Sequence, residues 1–127
     1  MAILSPRVVR NSSDNLEIGI AGCVADDETI NEVIVHPADF ECKSIRISAI
    51  FHSIQDGLCL LFYWEGEDDH ALAMPLEGRG VLDLVRFGGL ENSRHPGWTG
   101  KLLLKTERSK PGLKHFAVTL EMTKVRS

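Results

Sequence analysis

Apolar and polar residues alternate with a period of two over most of the chain, which predicts strands rather than helices. The clearest alternation in the first half covers residues 42–51. One face of that segment carries Ile45, Ile47, Ala49 and Phe51. Residues 58–64 are apolar throughout and short for a helix, so we interpret them as a strand covered on both faces. Because the hairpin signal Asp56-Gly57 lies between these two segments, they are predicted to pair.

A second pair of strands is predicted near the end of the chain. Residues 116–123 alternate clearly, and their expected partner is 101–106, joined through the turn residues Lys110-Pro111-Gly112. Acidic residues at 26–29 would suit a helix N-terminus, but the β-branched residues that follow favour a strand. The other expected strands are 6–10, 16–20, 30–35, 71–76 and 81–86.

Turn signals recur about every 8 to 12 residues, the spacing typical of antiparallel sandwiches and barrels. We therefore predict one all-β domain over residues 1–127, an antiparallel β-sandwich with the jelly roll as a candidate topology. The longest stretch without a period is the glycine-rich loop 88–100, which contains Trp98.

Composition agrees with a self-sufficient domain. The chain has 127 residues, 43% of them apolar and 25% charged, and this size needs neither metal nor disulfide to fold. No apolar run is long enough to span a membrane, and residues 1–10 do not predict a secretory signal. The three cysteines have no C-x-x-C spacing, which argues against a zinc site or a closed disulfide framework and favours synthesis in a reducing cytoplasm. Cys59 is interpreted as a small core residue.

The net charge of −4 hides an uneven distribution. Residues 14–69 hold 13 acidic residues against Lys43 and Arg46, a formal charge of −11, whereas residues 92–127 carry +6. One interpretation is that the two segments attract each other within the fold. The other is a bipolar surface that packs onto repeated copies of a partner.

The sequence contains no pattern typical of a catalytic site. Its five histidines lack metal-ligand spacing, and no G-x-S-x-G motif is present. The pairs of glycines around Arg79 and at 88–89 are interpreted as tight turns rather than as a phosphate loop. Basic residues lie near Trp98, but the acidic first half argues against nucleic-acid binding. We therefore predict a protein that is not an enzyme and uses no cofactor.

The most distinctive stretch covers residues 73–106. It reads AMPLEGRGVLDLVRFGGLEN, then GWTGKLLLKT from residue 97, and the closing strand FAVTLEMTKVR follows. This resembles small virion proteins of tailed bacteriophages, in which a Gly-Arg-Gly turn, a Phe-Gly-Gly-Leu turn and a Thr-Gly-Lys or Thr-Gly-Asp strand start recur in this order. The resemblance covers roughly two-thirds of the chain, including Tyr63-Trp64, and departs from the pattern at the bulkier, more basic residues 93–96.

The resemblance implies a capsid decoration (cement) protein that binds the outside of a phage head and stabilises it. The implied partners are the major capsid protein and further copies of this chain, with no nucleic acid and no membrane. The implied location is the capsid surface, after synthesis in the host cytoplasm. The family supplies no catalytic residues.

Five residues in or beside glycine-rich turns are the predicted partner contacts. They are Arg94, His95 and Trp98, with Arg79 and Arg86 as supporting charges. One alternative is an adaptor in the tail, neck or fibre of the virion. Another is a carbohydrate-binding β-sandwich that stacks a sugar on Trp98.

Overall fold

The computed structural model of the protein describes residues 3–66, 71–91 and 98–125. These residues form ten strands and two short 3-10 turns, Pro37–Phe40 and Val85–Phe87. The strands are β1 (Ile3–Asn11), β2 (Asn15–Val24), β3 (Asn31–Val35), β4 (Ser44–Ile54), β5 (Leu58–Gly66), β6 (Ala71–Leu76), β7 (Arg79–Asp83), β8 (Leu90–Glu91), β9 (Trp98–Arg108) and β10 (Lys114–Val125). Within the described ranges, no helix is long and apolar enough to cross a membrane.

The strands build two antiparallel sheets packed face to face, which confirms the predicted β-sandwich. Sheet A has the order β1-β2-β10-β4-β7, with β8 also pairing with β4, and sheet B has the order β3-β9-β5-β6. Without β1 and β8, eight strands remain, and we count them from one to eight in chain order. Sheet A then has the order 1-8-3-6, and sheet B has the order 2-7-4-5. This is the strand order of a jelly roll.

The core lies between the two sheets and is built by the alternating inward positions of their strands. Sheet B contributes fully buried Leu60, Phe62, Leu102 and Leu104. Sheet A contributes fully buried Leu16, Ile45, Ile47, Ile50 and Leu120. Trp64, an inward residue of β5, is also buried in this core.

The two predicted hairpins are wrong, although their strands exist. β4 lies in sheet A and β5 in sheet B, so the turn at Asp56-Gly57 crosses the sandwich instead of joining neighbours in one sheet. The turn is tight as expected, because the Leu58 N–H donates to the Gln55 carbonyl at 3.2 Å. In the same way, β9 and β10 lie in different sheets. Each turn brings its two strands together through their apolar faces across the core. The two strands do not pair through backbone hydrogen bonds along their edges.

The structure also decides four local predictions. Residues 26–29 form a turn rather than a helix, and the expected strand follows as β3. The strand predicted at 81–86 ends at Asp83, and a 3-10 turn replaces its last part. Cys59 is not a core residue, because the inward positions of β5 are Leu58 and Leu60 and the thiol lies half-buried on the outer face. The outer positions of β5 are half-buried, so the strand is not fully covered on both sides.

Candidate functional site

A β-bulge in β4 turns Phe51 away from the core, against the predicted alternation. The register of β4 against β10 shifts between Glu121 and Met122, which leaves Ser48 as an extra residue in β4. Beyond the bulge the side chains change faces. Ile50 is therefore completely buried, while Phe51 is 40% exposed on the outer face of sheet A.

Phe51 belongs to a group of exposed apolar side chains along β7, which we call the β7 patch: Phe51, Val81, Val85 and Phe87. Phe51 and Val81 are direct register partners on neighbouring strands. Val85 and Phe87 follow in the 3-10 turn after β7, and Phe87 is 80% exposed. Single exposed apolar residues are ordinary, but several at adjacent positions of one edge indicate a contact surface.

The β7 patch borders a shallow groove of about 850 Å³ over the outer face of sheet A. Small residues line it, namely Gly19, Ala21, Ser53 and Ala117 from the inner strands of the sheet and Gly80 from β7. Arg7 from β1 and Arg79 from β7 line the same groove, as does Phe51. The groove therefore combines apolar surface with two guanidinium groups, which are able to bind carboxylate or phosphate oxygens.

The predicted contact residues do not all lie in one sheet. Arg79 begins β7 at the groove, and Arg86 is exposed in the 3-10 turn inside the β7 patch. Trp98 begins β9 in sheet B, where its backbone is the register partner of Gly66. Arg94 and His95 lie outside the described residues. Sequence reasoning missed Phe51, because its exposure follows from the bulge in β4, and it assigned no face to Val81, which lies at an outer position of β7.

The oppositely charged segments of the sequence meet within the fold. Arg108 lies 3.4 Å from Asp26, Lys101 lies 3.9 Å from Glu65, and Lys110 pairs with Asp56. Each pair joins a base of the positive segment to an acid of the negative one. The hydrogen bond and charge of Lys110 lower the pKa of the Asp56 carboxyl. These contacts support the interpretation that the two segments attract each other inside the molecule.

Arg108 is a structural anchor that the sequence pattern does not reveal. Its guanidinium donates to the carbonyl oxygens of Val24 at 2.9 Å and Gly112 at 2.7 Å, and also to that of Ala25. Its side chain is only 19% exposed. One residue thus ties the end of β2 to the loop between β9 and β10. The only sequence signal for it is a basic residue at the end of an apolar strand.

Residues of chemical interest are dispersed in the described part of the chain. No group of three or more histidine, cysteine, aspartate or glutamate side chains there is arranged to hold a metal ion. Burial, together with the charges of Glu77 and Glu107, raises the pKa of the Cys59 thiol, which opposes its ionisation to a reactive thiolate. The surface with the clearest capacity for binding is therefore the β7 patch with its neighbouring groove.

We compared the chain with protein-family models, with curated proteins and with solved structures, and none of them matches it.

Proposed function

We propose that this protein is a virion structural protein that acts by protein–protein contact, as a capsid decoration protein on the outside of a phage head. The observation that carries the proposal is the β7 patch, an exposed apolar strip that contains Phe87, with Arg79 at the start of β7 and Arg86 between Val85 and Phe87. Aromatic and arginine side chains are the residues most enriched at the energetic centres of protein interfaces.

The motifs of the phage resemblance coincide with this patch. The Gly-Arg-Gly motif, residues 78–80, leads into β7, and the Phe-Gly-Gly-Leu motif, residues 87–90, links its 3-10 turn to β8. Gly88 and Gly89 both have positive φ, at 79° and 85°, so this turn depends on glycine. The recurring residues would thus shape the loop that exposes Phe87.

The topology supplies a second, weaker support. Jelly rolls occur in viral capsid proteins and also in lectins, so this argument is an analogy at the level of the fold. The groove beside the β7 patch presents Arg7 and Arg79 but no described carboxylate. We therefore infer that the complementary patch on the major capsid protein is apolar at its centre and acidic at its rim.

The test uses particles of the phage or prophage whose genome encodes this chain. Quantitative mass spectrometry and electron microscopy of purified heads should find hundreds of copies, arranged on the capsid lattice. A few copies at one vertex would instead identify a tail or neck adaptor. Absence from the particle, together with binding on a glycan array, would replace the proposal with the carbohydrate-binding alternative.

A matched pair of variants then tests the surface. Phe87→Ser removes the most exposed aromatic side chain of the β7 patch, and we expect binding to undecorated heads to weaken at least about tenfold. Leu113→Ser is the control, because Leu113 is 53% exposed in the loop before β10 and outside the patch. Equal binding by both variants would remove the β7 patch from the contact. A triple alanine variant at positions 94, 95 and 98 tests the loop prediction separately.

A further inference from the structure

We propose that two copies of this chain pair antiparallel through the open edge of β7, on a twofold axis at Val81. β7 is an edge strand of sheet A, since its described partner on one side is β4 and no described strand pairs with its other side. This inference identifies a self-association surface, and it does not rest on the proposed function.

The hydrogen bonds at the two ends of β7 show which backbone groups remain at its open edge. The Ile54 N–H donates to the Gly78 carbonyl at 2.9 Å, and the Leu84 N–H donates to the Ser48 carbonyl at 2.8 Å. Bonding positions alternate along an antiparallel ladder, so Gly80 and Leu82 also face β4. The N–H and C=O groups of the residues between them, Arg79, Val81 and Asp83, therefore point to the open edge.

The side chains at these three positions make the edge self-complementary. In an antiparallel pair centred on Val81, each Val81 lies opposite Val81 of the second copy. Arg79 then lies opposite Asp83 of the second copy, and Asp83 lies opposite its Arg79. Three bonded residue pairs exchange about six backbone hydrogen bonds, because each such pair makes two. Opposite charges across strands stabilise the pairing, and the same surface serves both copies, as a twofold interface requires.

The same arrangement covers apolar surface. Val81 is 61% exposed, and it lies beside Phe51 on the outer face of sheet A. Pairing of the two edges creates a row from Phe51 through both Val81 side chains to Phe51 of the second copy. Aromatic and β-branched residues at adjacent cross-strand positions are a favourable combination.

The other sheet edges carry features that oppose such pairing, and β7 does not. β1 contains Pro6 and a register irregularity between Val8 and Arg10, the edge strand β3 has an irregularity between Val33 and Val35, and β6 contains Pro75. Proline and bulges are typical devices that prevent edge-to-edge association. β7 has neither among its five residues. Its charges are also placed so that they match a second copy rather than repel it.

Sedimentation velocity and native mass spectrometry of the full chain test the pairing. We expect a dimer at about 100 µM that dissociates on dilution. Val81→Pro should abolish it, because the lost N–H lies at the twofold axis and not in the ladder with β4. The control is Arg10→Asp, an exposed position on the opposite edge strand of the same sheet, which should leave the dimer unchanged.

Exchange of the two charges gives a test in which the dimer is restored, so that the evidence does not depend on loss of the dimer alone. Arg79→Asp and Asp83→Arg should each weaken self-association at least about tenfold, because like charges then meet across the axis. An equimolar mixture of these two variants should form a heterodimer, since every cross-strand pair is again opposite in charge. Asp83 also accepts a hydrogen bond from the Val85 N–H at 3.0 Å, so thermal melting must first show that its variant is folded.

The outcomes divide clearly. Loss of the dimer in each variant, with recovery of the dimer in the mixture or in the double variant Arg79→Asp/Asp83→Arg, supports pairing at β7. A monomeric wild-type chain at about 100 µM overturns the proposal, and so does a dimer that survives both Val81→Pro and Arg79→Asp. If the Asp83 variant is unfolded, Val81→Pro and Arg79→Asp decide the question without it.

Discussion

Replacement of Arg108 by methionine should destabilise the fold more than its place near the surface suggests. Arg108→Met keeps a long side chain but removes the donors for the carbonyl oxygens of Val24, Ala25 and Gly112. A hydrogen bond from a charged donor contributes about 1.5 to 3 kcal/mol, and an acceptor left without a partner forfeits that contribution. All three carbonyl oxygens lose this charged donor in the variant, although that of Ala25 still accepts from the Glu28 N–H at 3.1 Å.

The expected loss in the free energy of unfolding is smaller than the sum of these bonds, because water reaches part of the site. The Arg108 side chain is 19% exposed, so water replaces part of what is lost, and its exposed partner Asp26 adds little. We therefore expect a loss of about 3 kcal/mol in the free energy of unfolding. In a domain of 127 residues this lowers the midpoint of thermal unfolding by about 10 °C.

Urea unfolding followed by circular dichroism measures this loss directly. Arg108→Lys should be intermediate, because an ammonium keeps the charge but lacks the planar fork that serves several carbonyls. Lys101→Met is the matched control, since Lys101 makes a long, partly exposed ion pair at 3.9 Å and should change stability by no more than about 0.5 kcal/mol. If Arg108→Met loses no more stability than Lys101→Met, the anchoring role is refuted.

Three further predictions concern a turn, an ion pair and a thiol. Gly100→Ala should destabilise far more than Gly78→Ala in thermal melts: both glycines have positive φ, but a Cβ at 100 would clash with the Lys43 carbonyl oxygen, whereas one at 78 meets nothing. Comparable losses would contradict this. Asp56 has a folded-state pKa below its ordinary value, so its pair with Lys110 adds stability above about pH 4 that is lost as pH falls through the lowered pKa. Asp56→Asn should therefore be less stable than wild type near neutral pH, and this difference in stability should shrink as the pH falls below about 4; a difference that stays constant into acid would exclude this source. Iodoacetamide should label Cys59 at pH 8 more slowly than a free cysteine peptide, measured by mass spectrometry, because its pKa is raised; equal rates would contradict the effect of burial.

The positions of the strands could be predicted from the sequence, because alternation reports directly which side chains are buried. Their partners could not. A turn such as Asp56-Gly57 requires the same local chemistry whether it joins two strands of one sheet or crosses between sheets. Only the long-range pairing of β4 with β10 and of β5 with β9 distinguishes these cases, and no short segment of sequence encodes it.

The candidate site shows the same limit at the scale of single residues. Strict alternation assigns Phe51 to the core face, and the extra residue Ser48 reverses that assignment. Arg79 and Arg86 were identified because glycine-rich turns mark exposed positions. Neither the alternation nor the glycine-rich turns indicated that Phe51 would lie beside Val81, because the two residues come from strands that are distant in sequence.

The place of β10 in sheet A has a consequence for synthesis of the protein. β10 follows all the other described strands in the chain, yet it lies in the middle of sheet A and pairs with both β2 and β4. Until residues up to about Val125 have left the ribosome, the β1–β2 hairpin has no strand to pair with. For the same time β4 lacks its partner on one side. Pairings between distant segments form slowly and leave apolar strands exposed in the meantime. We therefore expect sheet A to close only after synthesis of β10, which makes the nascent chain a substrate for chaperones until that moment.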